Sequence, residues 1–421
     1  MLQSITMMKR TAAIVFSAFL ITGCTAFNPG VATVWTNIPE IAAYAEMYNA
    51  AGDRVRINAV YKENPGRIPS GLDKADMPDI IIGTYINSIK TIGLFSSLEG
   101  LFGEDGLSED EFYPGILSLG VNDGQKVLIP LSFDIQGLKV RKSDTGLSSV
   151  LLSLEDMQRL SLEHTKTAGQ RTQYMGFSPA WTDDGGMMFA RLMNAAFREN
   201  SIGTLIWNNE ALNKAVSFSR QWIEETNGGY SRDQEFIQKY LYDPGRKLLI
   251  SNPPRIRFYP VTLSAFARLP SQDREPLDIV WLHNNDKIEV LENIVFAGIL
   301  KGSQTKRISQ EFITWIASVK TQKTLLESTR FKRIRTFGIA NGLSSLVKIN
   351  ENVFPEYYTF LVGRIPPAKY LHFPASVPSE WPNLRKEIIG PWIKNALCSE
   401  NQPKDSLPED IHKWYLQQPD Y

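Results

Sequence analysis

The sequence predicts a mixed α/β protein organised in two lobes. Short apolar, strand-like runs alternate with stretches of helical periodicity, and 421 residues exceed what one hydrophobic core ordinarily serves. The alternation runs from Val31 through most of the chain without an internal repeat or a low-complexity segment.

The elements follow in order. Asn28-Pro29-Gly30 reads as a tether, and Val31 to Trp35 as the first strand. Glu40 to Ala51 carries Ile41, Tyr44, Ala45 and Tyr48 at i, i+3, i+4, i+7, the spacing of one inward helical face, and Gly52 stops it. Arg54 to Val60 alternates, with Val55, Ile57 and Ala59 on one side, so a strand, a helix and a strand open a parallel sheet by a right-handed crossover. After a Pro- and Gly-rich loop, Pro78-Asp79 leads into Ile80-Ile81-Ile82, an apolar run of buried-strand length. Asn209 to Asn227 is a helix with Leu212, Ala215, Val216, Ser219, Trp222 and Ile223 along one face, ended by Gly228-Gly229. Ser309 caps another, bearing Phe312, Trp315, Ile316 and Val319. Gly390-Pro391 ends or kinks a helical pattern near Trp381, and the last 30 residues, with Pro403, Pro408 and Pro419, read as loosely attached.

Composition narrows the function classes. Lys plus Arg and Asp plus Glu both number 45, so no net field attracts nucleic acid or anionic lipid. The two cysteines, Cys24 and Cys398, and the four scattered histidines, His164, His283, His372 and His412, support neither a disulfide framework nor a metal site. The chain has no Gly-x-Ser-x-Gly, Cys-x-x-Cys, His-Glu-x-x-His or phosphate-loop motif, so no catalytic residue and no cofactor is expected. Asp183-Asp184 before Gly185-Gly186 reads as a solvated turn rather than a glycosidase carboxylate pair, which flanks its bond from opposite sides.

The N-terminus points outward from the cytoplasm. Lys9 and Arg10 precede an apolar run from Thr11 to Ile21, about half the roughly 20 residues a spanning helix needs, so residues 1–23 read as a signal peptide. Its end, Ile21-Thr22-Gly23-Cys24, resembles the bacterial lipobox. That resemblance makes the Cys24 sulfur the acceptor of a diacylglycerol thioether and residues 24–30 a tether to the membrane surface, with the folded part outside the cytoplasm. Cys398 is then left as a free thiol, a buried small hydrophobe.

The order of segments resembles the extracellular solute-binding protein family 1 of ABC importers, the group of maltose-, multiple-sugar- and glycerol-phosphate-binding proteins. The likeness is carried by Val34-Trp35-Thr36 before a helix, by Pro78-Asp79-Ile80-Ile81, by Ile129 to Leu138, and by Ala297 to Ser303 running into Glu311-Phe312-Ile313. It departs from the family at Lys139 to Lys142, where Tyr-Asn-Lys is usual, and at His283 to Asp286, where a Gly-rich segment is usual.

The resemblance implies a two-lobe periplasmic binding protein (type II) fold, each lobe a mixed sheet flanked by helices. Residues 31–133 with 287–336 form lobe 1, and 134–286 with 337–421 form lobe 2. Three hinge crossings fall near Phe133 to Gly137, His283 to Glu292 and Thr336 to Gly338. A solute sits between the lobes and is released unchanged to permease subunits of an ABC importer; the protein is a monomer, with no nucleic-acid partner. Trp35, Asn37 and Tyr85 follow strand ends where an open α/β sheet takes its ligand. Asp134 stands on the first crossing, where an acidic side chain accepts sugar hydroxyls. Trp181 and Trp381 resemble the family's cleft aromatics, with core packing as the alternative for each, and Asn252 follows the run Leu248-Leu249-Ile250; Trp222 and Trp315 are read as core. A sugar-like solute is the first reading. A glycerol phosphate or glycerophosphodiester, for which Arg255 and Arg257 could supply charge, is the second. A secreted glycoside or phosphodiester hydrolase, and an interaction module that has lost its pocket, are the readings from other classes.

Overall fold

The computed structural model describes residues 30–418 apart from 53–54, 75, 105, 145, 148, 170, 241–244, 332–335 and 399–405. The signal peptide and Cys24 lie outside the described residues. Along the chain run β1 (Gly30–Thr36), α1 (Glu40–Ala50), β2 (Val55–Tyr61), β3 (Ile80–Thr84), β4 (Ile129–Phe133), β5 (Gln136–Arg141), β6 (Leu151–Ser153), α2 (Leu154–His164), α3 (Asp183–Leu192) and α4 (Asn209–Asn227). Then follow β7 (Tyr259–Thr262), β8 (Leu277–His283), β9 (Val295–Ile299), α5 (Lys306–Ile316), α6 (Val319–Phe331), β10 (Leu343–Ser344), α7 (Gly390–Cys398) and α8 (Leu407–Leu416).

Two mixed sheets define two lobes. The first has strand order β10-β4-β9-β3-β1-β2, the second β7-β5-β8-β6. In the first, β1 pairs parallel to both β2 and β3, as the strand–helix–strand opening requires, while β9 returns antiparallel between β3 and β4. In the second, β5 lies antiparallel to β7 and β8, and β6 closes the far edge parallel to β8.

Local chemistry explains the elements the sequence predicts. Ile41, Tyr44 and Ala45 of α1 are buried on the first sheet, and Tyr48 meets Phe312 and Trp315 of α5, each ring pair 5.2 Å apart. Asp79 supplies the reason for Pro78-Asp79. Its carboxylate accepts from the Thr33 N–H at 3.0 Å and the Ser303 hydroxyl at 2.7 Å, tying the head of β3 to β1 and to the turn after β9. Asn208 caps α4 by accepting from the Ala211 N–H, and Gly228 ends it with φ 82°, a left-handed conformation that costs glycine nothing.

Three expectations are corrected, and a fourth, that Gly390-Pro391 ends or kinks a helix, is narrowed to its second alternative, a local distortion. α5 starts at Lys306, so Ser309 lies inside it with its hydroxyl turned back on the Thr305 carbonyl at 3.0 Å, and Val319 opens the next helix. Asp183 to Gly186 begins α3 instead of making a turn; a Cβ at Gly186 would stand 2.5 Å from Ile393, so that glycine lets α3 and α7 approach closely. Near Gly390-Pro391 the helix is not ended: a wider turn over Arg385–Ile389 shifts its register before Pro391, whose ring and missing N–H an unbroken α-helix would not accommodate. Within the last 30 residues, α8 is packed rather than loose, burying Leu407, Ile411, Trp414 and Tyr415.

The first passage between lobes lies between β4 and β5, and the second between β8 and β9. Beyond Thr336 the chain stays on the first sheet: Leu343 and Ser344 pair with Phe133 and Ser132, and the Tyr358 hydroxyl accepts from the Gly338 N–H. It reaches the second lobe at Phe360, whose ring meets Phe266, and Arg364, which pairs with Asp278. The segment 337–358, allotted by sequence to the second lobe, therefore belongs with the first.

Candidate functional site

The carboxyl ends of the parallel strands β1 and β3 are bridged by Asn37. Its side-chain oxygen accepts from the Thr84 N–H at 3.3 Å, and its amide donates to Thr84 Oγ1 at 3.1 Å and to the Glu63 carbonyl at 3.5 Å. Gly83 makes room for that bridge, because a Cβ there would lie 2.7 Å from Asn37 Oδ1 and 2.8 Å from Pro65. Tyr85 follows with φ 61°, an uncommon backbone for a non-glycine residue and one that often marks a functional position.

These residues open onto a cavity of about 600 Å3 between the lobes. The first lobe supplies Asn37, Thr84, Tyr85, Lys90 and the 63–68 segment; the second supplies Ser379, Glu380, Pro382, Asn383, Trp414, Tyr415 and Gln418. The walls are joined where Lys90 Nζ meets Glu380 at 3.3 Å and where Glu199 accepts from the Ile89 N–H at 2.7 Å. Burial, then the nearby Glu292 carboxylate, pushes the Tyr85 phenol up to about 12, so it stays protonated and can donate as well as accept.

Behind Tyr85 lies a buried ion pair. Arg191 of α3 donates from Nε and Nη2 to the two carboxylate oxygens of Glu292, at 2.8 and 3.0 Å, and from Nη1 to Gln136 at 3.4 Å. Burial alone would raise the Glu292 pKa; the guanidinium outweighs it and holds the carboxyl below its ordinary value.

The cavity thus offers amide and hydroxyl groups that donate and accept, aromatic rings, and four charged side chains, Glu63, Arg67, Lys90 and Glu380, whose formal charges cancel. It has the size and mixed lining of a small-molecule site. Among the described residues, no group of three or more His, Cys, Asp or Glu is placed to hold a metal ion, and no helix is long and apolar enough to cross a membrane.

Of the residues singled out by sequence, Asn37 and Tyr85 line this cavity together. Trp35 is buried and does not line it, with Lys62 Nζ 4.8 Å from its ring. Asp134 is 4% exposed at the first passage and turns its carboxylate onto Ser264 and Ile135. Trp181 belongs to the second-lobe core, stacked on Phe236 at 5.9 Å beside Phe177. Trp381 is fully buried against Phe197, although its neighbours Glu380 and Pro382 line the cavity. Asn252 is exposed on the second lobe, away from the cavity. Trp222 is core as read, and Trp315 is partly buried against the core. Cys398 is a half-buried free thiol whose pKa burial raises.

Sequence reasoning missed Lys90, Glu380, Asn383, Trp414 and Tyr415. A signal for the last two was present in Ser406-Leu407-Pro408-Glu409: a Ser cap followed three residues later by Glu, with Pro in the first turn, starts a helix.

No family model matches the chain, and no curated protein matches its sequence. Solved structures do match its fold. The sugar-binding protein MalE from the phytopathogen Xanthomonas citri is 13% identical, with a TM-score of 0.65 over 92% of this chain and 99% of that one. A cyclo/maltodextrin-binding protein complexed with maltotetraose is 12% identical, with a TM-score of 0.63 over 93% and 99%. The cyclic alpha-maltosyl-1,6-maltose binding protein from Arthrobacter globiformis is 14% identical, with a TM-score of 0.61 over 91% and 96%. This chain therefore has the two-lobe α/β fold of these sugar-binding proteins.

Proposed function

We propose that this chain is an extracytoplasmic solute-binding protein that holds a neutral, sugar-like polyhydroxylated molecule between its lobes and delivers it unchanged to the permease of an ABC importer. The observation that carries this reading is the charge-balanced, amide- and aromatic-lined cavity built from both lobes. A sugar presents hydroxyls at its edge and C–H groups on its faces, so paired donors and acceptors beside rings match it. The fold neighbours are binding proteins named for maltodextrins and related sugars, which supports the same class. Contact with both walls favours the closed arrangement by differential affinity, and closure is what a permease can recognise. The balanced charge argues against the phosphate-bearing solute of the second reading, and Arg255 and Arg257 lie outside the cavity. Lipid attachment at Cys24, an extracytoplasmic membrane face and a monomeric state complete the proposal.

The test is a thermal-shift screen of the full chain in detergent against neutral mono- and oligosaccharides, with glycerol 3-phosphate as a separate arm. A sugar at 100 times its dissociation constant should add about 2.7 kcal/mol, and Tyr85→Ala should remove the shift. Stabilisation by glycerol 3-phosphate and by no sugar, lost in Tyr85→Ala and so arising in the cleft, or release of product from any glycoside, refutes the reading. Labelled palmitate entering wild-type but not Cys24→Ser chain tests the anchor.

A further inference from the structure

Away from the cleft, the second lobe carries a recess of about 290 Å3 at the end of β5, lined in part by Arg141, Ser143, Asp144, His164 and Arg257. Arg257 donates from Nε and Nη2 to both oxygens of Asp144, at 2.9 and 3.0 Å, and from Nη1 to the Leu160 carbonyl at 3.2 Å. Asp144 also accepts from the Gly146 N–H at 3.0 Å. This fork spends the recess's one carboxylate on one of its two guanidinium groups. Arg141 is left with no side-chain hydrogen bond or ion pair among the described residues. His164 Nε2 is buried with no partner either, its ring held edge-on to Tyr174 at 6.3 Å. Arg255 takes no part: its guanidinium lies over Tyr174 and Tyr240 and bonds the Gln173 carbonyl at 3.1 Å.

Water can solvate either group singly, whereas one anion would meet both the imidazole nitrogen and the half-buried, unpaired guanidinium beside it. A guanidinium with a neighbouring neutral donor suits the several oxygens of a tetrahedral oxyanion. We propose that this recess binds phosphate, free or as the end group of a phosphomonoester, with Arg141 as its charge partner and His164 Nε2 and the Ser143 hydroxyl as hydrogen-bonding groups. The site is separate from the cleft and does not depend on the solute bound there.

Isothermal titration of the full chain in detergent, at fixed ionic strength, with inorganic phosphate and with glycerol 3-phosphate in separate arms tests this. One site is expected for phosphate, weakened about tenfold or more by Arg141→Gln and by His164→Phe, the loss of one charge-assisted bond and of one hydrogen-bonding nitrogen. Equal binding of both probes, lost together in Arg141→Gln, assigns the phosphomonoester end group; phosphate binding alone assigns the free ion. Arg141 is only partly buried, so its variant should keep the fold, and a melting curve by circular dichroism verifies this for both. No binding of either probe by wild-type chain, or equal binding by wild type and both folded variants, overturns the proposal.

Discussion

The Asp134 carboxylate accepts from the Ile135 N–H at 2.9 Å and from the N–H and hydroxyl of Ser264 at 3.1 and 2.5 Å, while its own carbonyl accepts from the Leu291 N–H at 2.9 Å. One residue so ties the first passage to the head of the Leu263–Ala267 helix and to the second passage. Replacing it with Ala strands buried donors, so Asp134→Ala should lower stability by about 2–4 kcal/mol in urea unfolding while leaving solute affinity within about twofold. A loss of affinity at unchanged stability would return Asp134 to the cleft. Asp233, fully buried, is the pH-sensitive counterpart. One oxygen accepts from Asn227 at 2.8 Å, the other meets no partner, and burial pushes its pKa up to about 6. The folded state keeps this proton where the unfolded state has released it, so stability falls as pH rises from about 4 to about 6, by at most roughly 3 kcal/mol. Asp233→Asn should flatten that part of the stability–pH curve and raise Tm at pH 7; an unchanged slope would refute the assignment.

At the scale of elements, α1, α4 and β3 were legible because a buried face, a cap and a stop are all local properties. Leu343–Ser344 was not, since two residues have no period, and its pairing with β4 depends on segments some 210 residues away. The same limit explains Trp181 and Trp381: composition cannot say whether a ring faces a cavity or a core, and here Phe236 and Phe197 decide it. α8 could have been found from its cap, yet its place on the cavity wall rests on Trp414 Nε1 donating to Glu387 at 2.7 Å. That bond occupies the indole's one donor and leaves the ring as its contact surface. Trp414→Ala should therefore weaken the cleft solute about tenfold and cost about 3 kcal/mol of stability. Trp414→Phe should restore most of the affinity while lacking the Glu387 bond, which costs about 1–2 kcal/mol. Equal affinity in wild type and both variants, measured by calorimetry with the sugar found in the screen, would remove α8 from the site.

For the whole molecule, the Arg191–Glu292 pair joins a second-lobe helix to the second passage, and Gln136 brings in the first. Both charges are over nine-tenths buried, so each is tolerated only through the other, and replacing the pair by apolar groups can cost little. Arg191→Met alone should strand the Glu292 charge and cost about 3–5 kcal/mol, and the double variant Arg191→Met, Glu292→Leu should recover most of it. Because the pair lies behind Tyr85 on the cavity wall and beside the passages between the lobes, the single variant should, if the proposed closure turns about those passages, also shift the population toward the open arrangement. Small-angle scattering without solute would then give a larger radius of gyration than wild type, and the apparent affinity would fall by the fraction of closed-competent molecules lost. If the single variant loses stability while its radius and affinity match wild type, the pair holds the second lobe together and has no part in setting the angle between the lobes.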